Sequence, residues 1–146
     1  MIISTKGRYG LRAVFTLAMH GPKEPLSIKY IADSQNISEL YLEQLFSRLK
    51  SAGLIKSIRG AQGGYLLGKE PKDITVGMIV RALEGPLAPS DCVVEDGACE
   101  NEELCVTRVV WQKIYEGLNN VVDSISLQDM LNEIEHKCKM KNQGKH

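Results

Sequence analysis

Apolar positions recur at helical spacing through most of this chain. After Ser38, Leu42, Leu45, Phe46 and Leu49 fall at i, i+3, i+4 and i+7, the period of one buried helical face, with Ser38 placed as N-cap. Ala52 and Gly53 end that helix. A short run from Leu54 to Ile58 follows, then Arg59-Gly60-Ala61-Gln62-Gly63-Gly64, then Tyr65-Leu66-Leu67, which predicts a two-stranded hairpin with a glycine-rich tip. Upstream, Ser4-Thr5-Lys6-Gly7-Arg8-Tyr9 leads into a helix expected to bury Leu11, Val14, Phe15 and Ala18 and to stop near His20-Gly21, ahead of Pro22 and Pro25. Ser27 caps a second helix reaching Asn36, with Ile28, Ile31 and Ala32 inward, and Ile37-Ser38 joins it tightly to the third. Two helices joined by so short a turn form a helix-turn-helix unit, whose second helix enters a groove of DNA.

Downstream of a polar turn over 68–73, Thr75 caps a helix with Val76, Ile79, Val80 and Leu83 inward, stopped by Glu84-Gly85-Pro86. Residues 87–104 have neither period and read as a loop, a length usually tied to function or disorder. From Val106 to Ile125 the helical period returns, with Val110, Ile114, Val121 and Ile125 on one side and Trp111, Leu118 and Val122 beside them. Such a helix is about 30 Å long, more than a small domain can cover. Ser126-Leu127-Gln128-Asp129 starts a last helix expected to end at about Glu135, and 136–146 reads as a frayed, Lys-rich tail.

The polar faces change the picture from architecture to chemistry. Tyr41, Gln44, Ser47 and Arg48 occupy the outer side of the third helix, where hydroxyl, amide and guanidinium groups match base edges and phosphates; an ordinary solvated helix face has the same pattern. Lys56 and Arg59 flank the hairpin tip, and a purely structural hairpin has no need of them. Lys6 and Arg8 stand at the start of the first helix, where the helix dipole favours phosphate. The formal net charge is zero, yet residues 1–60 hold 9 Lys/Arg against 4 Asp/Glu, whereas residues 61–146 hold 9 against 14. The basic excess therefore coincides with the helices and hairpin that would meet DNA.

Hydrophobic content of 43% and charged content of 25% are ordinary for a folded, soluble chain. No apolar run approaches the length of a membrane span, and the N-terminus has no secretory pattern, so the expected compartment is cytoplasmic. Cysteines there are poor candidates for structural disulfides. Cys92, Cys99 and Cys105 are spaced C-x6-C-x5-C in the loop, which suits an iron-sulfur cluster, a zinc site, a thiol switch or unconnected residues. Cys138 stands apart and is assigned no role. No motif pairs a nucleophile with a base, and His20, His136 and His146 lie at a helix end or in the tail, so an enzyme is not expected.

The strings STKGRYGLRA, YLEQLFSRLKSAGLIKSIRGAQGGYLLGKEP and ITVGMIVRALEG resemble the Rrf2 family of bacterial winged-helix regulators, which includes IscR, NsrR and CymR types, across about Ile2 to Leu131. The resemblance implies a mainly α fold. It has a winged helix-turn-helix DNA-binding domain at 1–86 with a small β-hairpin wing, a cysteine-containing cluster loop at 87–105, and a long dimerisation helix with a C-terminal helix at 106–135, before a flexible tail at 136–146. DNA-binding candidates are Lys6, Arg8, Ser38, Tyr41, Glu43, Gln44, Arg48, Arg59 and Gly60, on a homodimer addressing a pseudo-palindromic double-stranded operator.

IscR-type and NsrR-type proteins carry three cysteines in this loop, and CymR-type proteins lack them. The resemblance thus implies metal ligands Cys92, Cys99 and Cys105, a two-iron or four-iron cluster, and regulation by cluster status, redox state or nitric oxide. The alternative is a cluster-free, CymR-like regulator of cysteine or sulfur metabolism, controlled by a protein partner or thiol oxidation. The fourth ligand departs from the family. IscR-type sites use a histidine where this chain has Arg108, and NsrR-type sites use an acidic residue of the partner's first helix near the position of Arg8. Neither arginine is an iron ligand, which leaves an open position or a residue such as Glu103 or Asp91.

Overall fold

The computed structural model of the protein describes residues 3–95, 97 and 104–144. It contains α1 (Thr5–His20), α2 (Ile28–Gln35), α3 (Glu39–Ser51), β1 (Ile55–Ile58), β2 (Gly64–Leu67), α4 (Val76–Glu84), α5 (Val106–Asp123) and α6 (Leu127–Gln143), with single 3-10 turns at Pro71–Asp73 and Asp91–Val93. The fold is mainly helical with a two-stranded antiparallel hairpin, the winged helix-turn-helix expected.

Each early helix starts where a hydroxyl can take an otherwise unpaired amide. The side chains of Ser4, Ser27, Ser38 and Thr75 accept from Lys6, Tyr30, Tyr41 and Met78 N–H, respectively. α2 ends at Asn36 in the left-handed conformation, and Ile37 N–H donates to Ala32 O at 3.1 Å, so the chain reverses into α3 within two residues. The main core gathers Val14 and Leu17 of α1, Ile31 of α2, Leu42, Leu45, Phe46 and Leu49 of α3, Leu54, Ile55, Ile74, and Ile79 and Leu83 of α4. Every inward position anticipated for α3 is buried.

In α1 the buried face differs from the expected one. Gly7, Gly10, Ala13, Val14, Leu17 and Ala18 are buried, while Leu11 and Phe15 are only half-buried. The stripe is rotated because glycines, which no apolar count registers, form its first two turns. An added Cβ on Gly10 would stand 2.0 Å from Leu83 Cδ1, and one on Gly7 3.0 Å from Glu84 Oε1. α1 therefore lies closer to α4 than any larger residue would permit.

A second, smaller cluster joins Val80 of α4, Leu87 and Val122 of α5, with Ile3, Val76 and Leu118 around it. Ile74 and Thr75 meet the α5–α6 connection through Leu127 N–H to Ile74 O and Val76 N–H to Ile125 O, both 2.8 Å. Leu127 is fully buried in the main core, so the start of α6 packs against the 1–86 region although it is remote in sequence. α6 also runs on to Gln143, past the end expected at about Glu135. Its later turns are exposed and polar, and they form a helix without the apolar period that would have announced one. Among the described residues no helix is long and apolar enough to cross a membrane.

Candidate nucleic-acid interface and cysteine loop

α3 turns its apolar face to the core and leaves Leu40, Glu43, Gln44, Ser47 and Arg48 around a shallow depression of ≈ 440 Å³. Leu40 is 67% exposed there. Sequence reasoning passed over it, although its spacing of three and four from Glu43 and Gln44 puts it on the same face. Gln44 and Glu43 are exposed. Ser38 is occupied as a cap, accepting from Tyr41 N–H at 3.1 Å. Tyr41 is half-buried at the α1–α3 seam, its hydroxyl 3.4 Å from Thr5 Oγ1 and its ring edge-on to Tyr9 at 6.2 Å between centroids. Arg48 is exposed but not free. Its Nη1 donates to the Leu83 carbonyl at 3.0 Å and so ties α3 to the end of α4.

The first turn of α1 brings Lys6 and Arg8 to the surface, both exposed. Glu84 holds that turn from beneath: its Oε1 accepts from Ser4 N–H at 3.0 Å, from Gly7 N–H at 2.9 Å and from the Ser4 hydroxyl. Burial acts to raise the Glu84 carboxyl, but the Ser4 hydroxyl, the Gly7 and Ser4 amides and the Lys6 charge together outweigh it and hold the carboxyl below its ordinary value of 4.5.

The wing pairs Ile55 with Leu67 and Ile58 with Gly64, leaving Arg59, Gly60, Ala61 and Gln62 exposed at its tip. Gly60 has φ 111°, and its carbonyl accepts from Gly63 N–H at 3.0 Å, the tight turn the glycines were expected to allow. Leu26 pairs with Tyr65 through two backbone hydrogen bonds of 2.8 and 3.0 Å. The wing is thereby fastened to the segment entering α2, and Gln62 and Gly63 share a cleft with Ser27 and Tyr30. α1, α3 and the wing thus carry the nine candidate DNA residues on elements that pack together, with Ser38, Tyr41 and Arg48 partly committed to internal bonds.

Cys92 lies in the 3-10 turn Asp91–Val93, and Cys105 is the N-cap residue of α5. Arg108 joins them: its Nη2 donates to the Cys92 carbonyl at 3.3 Å across the start of α5. The Cys92 thiol donates to Ser90 Oγ at 3.3 Å, and Cys105 Sγ is 3.1 Å from Thr107 Oγ1. The Thr107 hydroxyl contact comes first among the causes that lower the Cys105 thiol from its ordinary 9.0; the Arg108 and Thr107 amides and the Arg108 charge add to it against a smaller effect of burial. Among the described residues no three His, Cys, Asp or Glu side chains are grouped to hold a metal. Cys99 and Glu103 lie outside the described residues, Asp91 is exposed, and Cys138 is exposed on α6. The donors described, two thiols beside a guanidinium, do not by themselves make a cluster site.

A family model described as "Rrf2: Iron-dependent Transcriptional regulator" matches residues 3–133. The chain belongs to the Rrf2 family. It is a DNA-binding transcriptional regulator and not an enzyme. Among its Rrf2 relatives, the HTH-type transcriptional regulator CymR of Bacillus subtilis (strain 168) is 50% identical over 130 residues, covering 89% of each chain. A solved structure of CymR, termed the global cysteine regulator of B. subtilis, aligns with a TM-score of 0.76 at 46% identity, covering 91% of this chain and 98% of that one. The structure of T. potens IscR aligns with a TM-score of 0.77 at 47% identity, covering 94% and 90%. Of the three types anticipated from the sequence, CymR and IscR are thus both represented among solved structures at similar identity.

Proposed function

We propose that this Rrf2 regulator acts as a cytoplasmic homodimer that reads a pseudo-palindromic operator, and that its signal enters through the thiols of the cysteine loop or a protein partner, as in the CymR-like alternative, without a resident cluster. The observation that carries this choice is Arg108, which bonds the Cys92 carbonyl at the position where an IscR-type protein would offer histidine to iron.

In the operator complex, Gln44 pairs with an adenine edge, Glu43 accepts from cytosine N4, and Leu40 packs on a thymine methyl. Tyr41 adds a hydroxyl at the α1–α3 seam. Lys6 and Arg8 meet phosphate, and the Arg59–Gly60 tip probes the adjoining minor groove. α5 supplies the dimer contact. Val106, Val109, Val110, Ile114 and Val121 are 41 to 80% exposed along it, an apolar stripe that a soluble monomer has no reason to keep wet.

A second reading is favoured by the count of cysteines. Cys92, Cys99 and Cys105 stand within 14 residues, and the family's description is iron-dependent. In that reading their three thiolates would hold an iron-sulfur cluster, which would supply redox and ligand sensitivity. Iron and acid-labile sulfide are to be measured with an absorption spectrum on protein purified without oxygen, beside Cys99→Ala. The proposal expects a colourless, iron-free protein that binds DNA and changes affinity on reversible thiol oxidation. Bound iron and visible bands that vanish in Cys99→Ala would replace it with the cluster reading.

A further inference from the structure

The C-terminal turn of α4 bonds to three elements that serve different ends. Arg81 pairs with Asp123 of α5 and donates to Asn119 Oδ1 at 2.8 Å, while Asn119 Nδ2 donates to Leu87 O at 3.0 Å where the cysteine loop begins. The Leu83 carbonyl accepts from Arg48 of α3. Glu84 accepts three hydrogen bonds from the first turn of α1, and Gly7 and Gly10 let that helix approach closely enough to make them.

Charge alone does not account for Glu84. A carboxylate beneath a basic, DNA-facing turn lowers the local positive potential and so opposes phosphate binding. Its three hydrogen bonds do something charge cannot: they fix where the start of α1 lies relative to α4. We propose that Glu84 is a positioning residue for operator binding, setting Lys6 and Arg8 from the same turn of α4 that holds Arg48, so that α1 and α3 approach DNA as one body. This rests on the reading of Lys6 and Arg8 as phosphate contacts.

The test compares full-length wild type with Glu84→Ala, Glu84→Gln, Lys6→Ala and Arg8→Ala. The probes are a duplex selected by the wild-type protein from a randomised pool and a duplex of unrelated sequence. For Glu84→Ala, affinity for the selected duplex falls about tenfold, the scale of lost charge-assisted hydrogen bonds. Affinity for the unrelated duplex holds or rises, because non-specific binding depends on charge rather than placement. Glu84→Gln keeps an acceptor oxygen and recovers most of the specific affinity.

A role confined to holding the fold would weaken both duplexes together and would overturn the proposal. So would a Glu84→Ala protein that binds the selected duplex as tightly as wild type. If Glu84→Ala does not fold, Glu84→Asp, which keeps the charge and loses the reach, carries the same expected split. If Lys6→Ala and Arg8→Ala bind both duplexes like wild type, the phosphate reading falls and the proposal with it. If they weaken while Glu84→Ala does not, the positioning role alone falls.

Discussion

Arg48 and Arg59 carry the same charge on opposite sides of the α3–wing junction, and their surroundings separate their expected roles. Arg59 is exposed at a glycine-rich tip, whereas Arg48 spends one donor on the Leu83 carbonyl. Replacing Arg59 by alanine should cost about 1 to 3 kcal/mol of operator binding if it reads a base, and should mainly reduce the salt slope if it meets only phosphate. Unchanged affinity and slope in a salt titration would remove it from the interface. Arg48→Ala should instead weaken operator binding with little change in slope, since its bond is internal; a slope reduced by about one would mean that it meets phosphate after all. Glu84 gives a pH signature. Its folded carboxyl lies below 4.5, so the stability it contributes is present above that value and is lost as pH falls through the depressed one. The melting-temperature gap between wild type and Glu84→Gln should therefore be full at neutral pH and close in acid; a gap that widens on acidification contradicts the assignment. The sequence announced Glu84 only as a helix stop, because its partners are 77 to 80 positions away.

At the scale of elements, α3 and the wing were legible because their period, cap and turn glycines agree with one another. α1 was legible as a helix but not in its orientation, since four of its six buried residues are glycine or alanine. Gly10→Ala tests that packing. Alanine brings about 1 kcal/mol of helix propensity, but its Cβ would press on a Leu83 methyl that is itself buried, at an overpacking cost of about 1 to 3 kcal/mol. Net destabilisation of about 1 kcal/mol in chemical denaturation is the expected result, and a stabilised variant would show that α1 and α4 have room between them. The later turns of α6 were missed for the opposite reason. Charged and amide side chains sustain the helix without an apolar face, so no periodicity marks it. In the cysteine loop, spacing raised Cys92 and Cys105 as candidates for thiol or cluster chemistry but could not show that Arg108 reaches back to the Cys92 carbonyl.

For the whole molecule, zero net charge concealed a basic half and an acidic half, and the basic half holds most of the elements proposed to meet DNA, α1 to α3 and β1. The family and the fold were readable from contiguous strings, because the helix-turn-helix and the wing are built from local motifs. The signal was not, because the chain resembles both a cysteine regulator and IscR at nearly equal identity. The wet apolar stripe on α5 has a consequence for how durable this fold is. Val122 of the same helix completes the cluster with Val80 and Leu87, so whatever covers the outer side of α5 also protects that inner contact. If a second copy does so, unfolding is coupled to dissociation, and the melting temperature must climb with protein concentration. A midpoint that stays fixed on serial dilution would mean that each chain survives alone, whereas a rising one makes the regulator's lifetime depend on its own abundance.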